Sequence, residues 1–130
     1  MKTIKVCAAV IAQENKILLT SRTEDYLAGF WEFPGGKQEA DENPVECLIR
    51  ELREELSAEL LVFDTIFFID HEYPDKKVHI RFMRCALRAD SPLHPQEGQE
   101  YCWVKRNELN QINLLPADRP VADFLNGFKI

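Results

Sequence analysis

The sequence predicts an α/β sandwich: one mixed sheet with at least two helices packed on it. Three observations carry this. Apolar runs bounded by turn residues recur along the chain, as strands do. The segment Pro44–Leu56 instead carries its apolar residues at helical spacing, behind a clear start signal. The length of 130 residues suits a single domain over 1–130, and a hydrophobic content of 45% is too high for a disordered chain.

The elements follow in order. Ile4 to Ala12 is rich in Val, Ile and Ala and reads as a buried strand. Gln13-Glu14-Asn15 turns the chain, and Lys16 to Ser21 returns as the second strand of a hairpin. Thr23 to Gly29 is polar and irregular. Phe30 to Phe33 is a short aromatic strand that Pro34-Gly35-Gly36 ends sharply. Asn43 then suits an N-cap, Pro44 the first helical position, and Glu46 the carboxylate of a capping box. Val45, Leu48, Ile49, Leu52 and Leu56 form one apolar stripe on this helix. Two long strands follow, Ala58 to Glu72, with Asp64 marking a break, and Val78 to Arg88. Tyr73-Pro74-Asp75-Lys76 joins them as a turn. Ala89 to Gln99 is a loop with two prolines and a glycine. Tyr101 to Val104 is a short strand, and Arg106 to Gln111 a helical turn. A final helix opens at Ala117 or Asp118 and runs to Asn126-Gly127.

Charge and composition narrow the function. Sixteen Lys+Arg against 22 Asp+Glu give a net charge of −6, which argues against a nucleic-acid polymer as partner. A small anionic substrate stays open, because a bound divalent cation reverses the local sign. No apolar run approaches the ~20 residues needed to span a bilayer, so no membrane partner is expected. The first residues carry no clear cleavage site, which reads as a cytoplasmic protein. Cys7, Cys47, Cys85 and Cys102 are scattered and form no Cys-x-x-Cys pair, so they read as reduced, mostly buried thiols. Monomer and homodimer are both open.

The Pro44–Leu56 helix breaks a rule of its own class. Glu51, Glu54 and Glu55 share the face opposite the apolar stripe, with Arg50 beside them. Glu51 and Glu55 are a like-charged (i, i+4) pair, which costs roughly 0.2–0.5 kcal/mol. Glu54 and Glu55 also lie in the last turn, where the helix dipole disfavours anions. Glu46 and Glu54 are spaced to pair with Arg50, but no cation is spaced to neutralise the Glu51–Glu55 edge. A solvated acidic face would look similar. The residues ahead of the helix tip the balance. Gly35-Gly36 lets a backbone carbonyl approach a ligand, and Lys37 follows as a phosphate contact. Clustered carboxylates with a free carbonyl are hard oxygen ligands for Mg²⁺ or Mn²⁺.

At this point the spacing becomes specific. Gly36, five residues, Glu42, seven residues, then Arg50-Glu51-Leu52-Arg53-Glu54-Glu55 resembles the Nudix box, G-x5-E-x7-R-E-U-x-E-E-x-G-U, where U is a bulky aliphatic. Every charged position is filled. Ser57 stands where the family has a glycine helix cap, and Ala58 where it has a bulky aliphatic. A serine in a left-handed cap should cost on the order of 1 kcal/mol or change the turn. The resemblance extends over essentially the whole chain, to the small MutT-type nucleoside triphosphate pyrophosphohydrolases. It includes Arg22, the Trp31–Lys37 run, Tyr73-Pro74-Asp75, Glu97 and Pro116-Ala117-Asp118. Asp118 with Pro120 is closer to the bacterial CTP pyrophosphohydrolases, since the 8-oxo-dGTP enzymes typically carry Asn at that place.

The resemblance implies a Nudix-type α/β/α sandwich that hydrolyses a nucleoside triphosphate to monophosphate and pyrophosphate. It implies that Glu51, Glu54, Glu55 and Glu97, with the Gly35 carbonyl, hold Mg²⁺, with Mn²⁺ a substitute. Glu51 or Glu97 would be the general base and Arg50 would orient the carboxylates. Arg22 and Lys37 would contact phosphates. Phe33 either stacks on the base or belongs to the core. Asp118 either accepts from an exocyclic amine or caps the final helix. CTP, dCTP and oxidised nucleotides such as 8-oxo-dGTP are the expected substrates. ADP-ribose or a dinucleoside polyphosphate is the alternative, which Tyr73-Pro74 keeps open. His71 and His79 read as ordinary strand residues.

Overall fold

The computed structural model describes residues 2–23, 27–88 and 92–127. The expected irregular stretch 23–29 and loop 89–99 lie partly outside them. Among the described residues, seven strands and two α-helices follow in the order β1 (Thr3–Gln13), β2 (Lys16–Ser21), β3 (Trp31–Glu32), β4 (Gly35–Lys37), α1 (Pro44–Leu56), β5 (Leu60–Tyr73), β6 (Lys76–Leu87), β7 (Tyr101–Lys105) and α2 (Arg119–Asn126). Short 3-10 turns at Arg106–Gln111 and Pro116–Asp118 lead into α2.

The sheet is mixed, as expected. Its strands run β3-β2-β1-β6-β5, with β4 on β1 and β7 on β2. β1 and β6 are parallel, whereas the other pairs are antiparallel. β1 is buried on both faces, which explains its unbroken apolar run. Cys7, Ala9 and Ile11 join α1's Leu48, Leu52 and Leu56 in one core cluster. Ala8 and Val10 join Phe82 and α2's Val121, Ala122 and Leu125 in the other. Helices therefore cover both faces, an α/β/α sandwich.

Two details depart from the sequence expectation. Gly35-Gly36-Lys37, expected as a turn, is strand β4, with Gly35 opposite Ala8 and Gly36 opposite Cys7. A pairing set by β1 overrides the poor strand propensity of glycine. The expected break at Asp64 is a bulge: β5 continues through register shifts at Val62/Asp64 and Thr65/Phe67. All four cysteines are free thiols, three buried and Cys102 half-buried.

Helix α1 has the predicted bounds and caps. Asn43 Oδ1 accepts the Glu46 N–H at 2.8 Å, and Glu46 Oε1 accepts the Asn43 N–H at 2.9 Å. At the other end Ser57 adopts the left-handed conformation (φ 54°, ψ 30°) that the family gives to glycine. The turn is kept with a side chain that does not favour it. Ser57 donates its N–H to the Arg53 carbonyl at 3.0 Å and Ala58 to that of Leu52 at 3.1 Å.

Candidate active site

β4 and α1 together place the acids. Strand β4 runs beside β1, and α1 packs over β1 through its apolar stripe. The charged face of α1 thereby faces Gly35–Lys37. The approach is close. A Cβ on Gly36 would collide with the Glu51 carboxylate, and one on Gly35 with the Cys7 backbone. Gly35 is required both by space and by its positive φ of 155°, whereas a side chain at Gly36 would displace the Glu51 carboxylate.

Arg50 organises one half of the site. Its Nε and Nη2 donate to the two oxygens of Glu42 at 2.6 and 2.9 Å, a bidentate fork. Nη1 donates to Glu51 Oε1 at 2.7 Å and to Glu54 Oε2 at 3.2 Å. Nη2 also reaches the Lys37 carbonyl at 3.0 Å, which ties β4 to α1. The guanidinium holds the Glu42 carboxyl down at about 2, and its own pKa is raised by the same bonds. The expected Arg50–Glu54 pair is present. The expected partner Glu46 gives its carboxylate to the N-cap instead, and Glu42 takes its place.

Glu55 is held differently. Thr20 Oγ1 donates to its Oε1 at 3.0 Å, and Gln99 Nε2 to the same oxygen at 2.8 Å. The Gly35 N–H reaches Oε2 at 3.4 Å. These neutral donors do not offset its burial. Burial first, then the nearby charge of Glu32, pushes its pKa up to about 7. Burial also raises Glu51, against the pull of Arg50.

Glu51, Glu54, Glu55, Gly35, Arg22 and Lys37 line one open cleft. Glu97 does not line it. It is exposed on the loop before β7, while its neighbours Gln96 and Gln99 line the cleft. Among the described residues, no three Asp, Glu, His or Cys side chains lie close enough together to hold an ion as placed. The chemistry of the donors nevertheless fits a hard divalent cation. Two desolvated carboxylates, Glu51 and Glu55, line the cleft with a third that is more than half exposed, Glu54. A cation there would supply the charge that burial makes these acids lack.

A second recess opens from the same place. It shares Arg22, Glu32 and Gly35–Lys37 with the cleft and runs inward between Phe33, Tyr73, Leu115 and Asp118. Glu32 sits at the junction, paired with Arg22 Nη1 at 3.3 Å. Phe33 is buried and packs edge-to-face on Phe82 with centroids 5.6 Å apart, so it serves the core and walls the recess at once. Asp118 is 4% exposed. Its side chain makes no cap to α2; its Oδ2 accepts the Phe33 N–H at 3.1 Å. Burial, then the Glu32 charge, raises it to about 8. Backbone bonds put it there: Trp31 exchanges hydrogen bonds with Asn113 and Leu115, which bring the Pro116–Asp118 turn beside β3. The Tyr73 hydroxyl accepts the Ala117 N–H at 3.3 Å and steadies that turn. His79 lies elsewhere, on the sheet surface, 2.7 Å from Asp70.

Comparison with known proteins agrees with this geometry. A family model described as the NUDIX domain matches residues 6–123. A CTP pyrophosphohydrolase of Escherichia coli (strain K12) is 37% identical, covering 95% of this chain and 91% of that protein. An 8-oxo-dGTP diphosphatase of the same organism is 32% identical, covering 93% and 95%. The solution structure of the E. coli ORF135 protein superposes with a TM-score of 0.80 at 37% identity, covering 95% of this chain and 88% of that one. A MutT NUDIX hydrolase from Burkholderia pseudomallei shares the fold at a TM-score of 0.82 and 24% identity, covering 93% and 96%. Carrying the box on α1 and matched along nearly its full length, the chain belongs to the NUDIX domain family of hydrolases.

Proposed function

We propose that the chain is a Mg²⁺-dependent nucleoside triphosphate pyrophosphohydrolase acting on CTP, dCTP and modified or oxidised nucleotides such as 8-oxo-dGTP. The observation that carries this reading is the junction of two unlike spaces. An apolar recess ending in a buried acid meets an acidic cleft at Gly35–Lys37, Arg22 and Glu32. A base fits the first, and a metal-bound triphosphate the second. The activities named for two relatives that cover nearly the whole chain point the same way.

The residues divide the work. Asp118, protonated near neutrality, offers a carboxyl O–H donor and an acceptor, which complement cytosine N3 and the N4 amine. Phe33 and Leu115 flank the base. Arg22 and Lys37 meet the phosphates where recess and cleft join. Glu51, Glu54, Glu55 and the Gly35 carbonyl hold the ion. When bound, a divalent ion neutralises phosphate charge and lowers the pKa of water. Glu51 takes the proton from the water that attacks the β-phosphorus. Its half-buried place in the cleft, against the exposed place of Glu97, supports this choice. Arg50 keeps Glu51 oriented for that step. The products are nucleoside monophosphate and pyrophosphate, and the role is removal of unwanted nucleotides from the pool.

A pyrophosphate-release screen over CTP, dCTP, 5-methyl-dCTP, 8-oxo-dGTP, dGTP and ADP-ribose, with and without Mg²⁺, tests this. Turnover of cytidine or oxidised nucleotides only with Mg²⁺ is expected. Turnover of ADP-ribose and of no triphosphate would overturn it.

A further inference from the structure

We propose that Thr20 and Gln99, neither of them part of the box on α1, are positioning residues for Glu55. They pin its Oε1 with uncharged donors and leave Oε2 as the atom that meets a divalent cation. This rests on the metal-dependent reading of the cleft.

The bonding is asymmetric. Oε1 accepts from both Thr20 Oγ1 and Gln99 Nε2, at 3.0 and 2.8 Å, whereas among the described residues Oε2 has only the Gly35 N–H at 3.4 Å. One oxygen is filled and the other nearly open. Thr20 is fully buried on β2, so its hydroxyl must bond or be stranded, and Glu55 is the acceptor it finds. The orientation of Gln99 is also fixed by chemistry. Its Nε2 faces two acceptors, Glu55 Oε1 and, at 3.4 Å, the Ser21 carbonyl. A flipped amide would set its oxygen against both. The cost of this orientation is visible: among the described residues, buried Gln99 Oε1 has no hydrogen-bond partner. An unsatisfied acceptor is kept so that the donor faces Glu55.

The loop that carries Gln99 is fastened to the same end of α1. The His94 N–H donates to the Leu56 carbonyl at 2.8 Å and that of Gln96 to the Glu55 carbonyl at 3.3 Å. Gln96 Nε2 reaches the Glu54 carbonyl at 2.9 Å. Backbone and side chain of Glu55 are thus held by one loop. Glu42, Glu51 and Glu54 share the Arg50 cation, yet among the described residues no cation pairs with Glu55. A guanidinium there would orient the carboxylate and also neutralise it. A hydroxyl and an amide orient it and leave its charge for a metal ion.

The test is Mn²⁺ affinity, measured by titration calorimetry on the substrate-free protein. Thr20→Val and Gln99→Leu should each weaken Mn²⁺ binding by about 10-fold, with the melting temperature of the metal-free protein little changed. Thr20→Ser, which restores the hydroxyl, should bind Mn²⁺ as the wild type does and keeps the proposal testable if Gln99→Leu does not fold. In a Glu55→Gln background the Thr20 and Gln99 substitutions should add almost nothing. Single variants within twofold of wild type, or losses that add fully in the Glu55→Gln background, would overturn the proposal. The two readings fail separately. A wild type that binds Mn²⁺ through this pattern and hydrolyses no triphosphate defeats the proposed function only. An active enzyme whose variants bind Mn²⁺ normally defeats this inference only.

Discussion

Glu51 and Glu55 lie about one helical turn apart on α1 and line the same cleft, yet they are held in opposite ways. Glu51 shares the Arg50 guanidinium with Glu42 and Glu54. Glu55 leans away from that cation toward β2 and the loop before β7, where among the described residues only neutral donors reach it. Asp118, at the far end of the recess, follows the second pattern, with a backbone N–H as its donor. An arginine fixes a carboxylate and pulls it toward its ionised form, fully at Glu42 and against the pull of burial at Glu51. Neutral donors keep it in place, but burial then favours the proton, and the group is poised for a cation or a base to arrive.

Removing the poised charge should have the largest effect. Glu55→Gln keeps the shape of the side chain and loses the charge, and turnover with Mg²⁺ should fall by roughly 10²-fold or more. The same variant should not be less stable. Glu55 binds its proton more tightly folded than unfolded, so its contribution to stability is greatest at low pH. It declines as pH rises from the ordinary carboxylate range toward about 7. In metal-free buffer the melting temperature of Glu55→Gln should gain on wild type across that window, and a constant gap would contradict the burial argument.

The Arg50 side should behave in reverse. Arg50→Met leaves Glu42, Glu51 and Glu54 without their shared cation, and should lower both turnover and unfolding free energy, the latter by about 2 kcal/mol in urea titrations. If Arg50→Met and Glu55→Gln change stability alike, the contrast between the two arrangements is broken.

Asp118→Asn sharpens the comparison at the recess. It should change kcat/KM for CTP relative to dGTP by about 10-fold, one hydrogen-bonding group's worth of discrimination. It should also flatten the pH dependence of stability. The contribution of Asp118 to stability falls as pH climbs from near 4 through about 8, because the buried acid must ionise there, and Asn carries no such burden. Unaltered base preference would remove Asp118 from recognition.

The smallest effect is expected outside both arrangements. Ser57 sits in a left-handed turn at the end of α1, so Ser57→Gly should stabilise the protein by about 1 kcal/mol and leave turnover within about twofold.

Much of the Arg50 half was legible in the sequence, and little of the Glu55 half. The bounds of α1, its caps and its crowded acids are local patterns, written within one run of residues. Its one misjudged pair is instructive. Glu46 has the right spacing for Arg50, but the N-cap claims its carboxylate, and the fork from Glu42 wins. Thr20 and Gln99 stand 35 and 44 residues from Glu55, and no spacing rule joins them. Nor does a loop sequence tell which of Glu97 and Gln99 turns inward; the bonds to the end of α1 decide it. Strand β4 was hidden for a related reason, since two glycines read as a turn until β1 is beside them.

In the proposed reading, this cleft performs metal-dependent attack on a nucleoside triphosphate, with Glu55 among the residues that would hold the metal. The most direct measurement is product analysis of CTP hydrolysis in ¹⁸O-labelled water, for wild type and Glu55→Gln, with Mg²⁺ and with excess chelator. CMP and pyrophosphate, with the label in pyrophosphate, are expected only for wild type with Mg²⁺. Orthophosphate release, turnover in chelator, or equal rates in Glu55→Gln would contradict this reading.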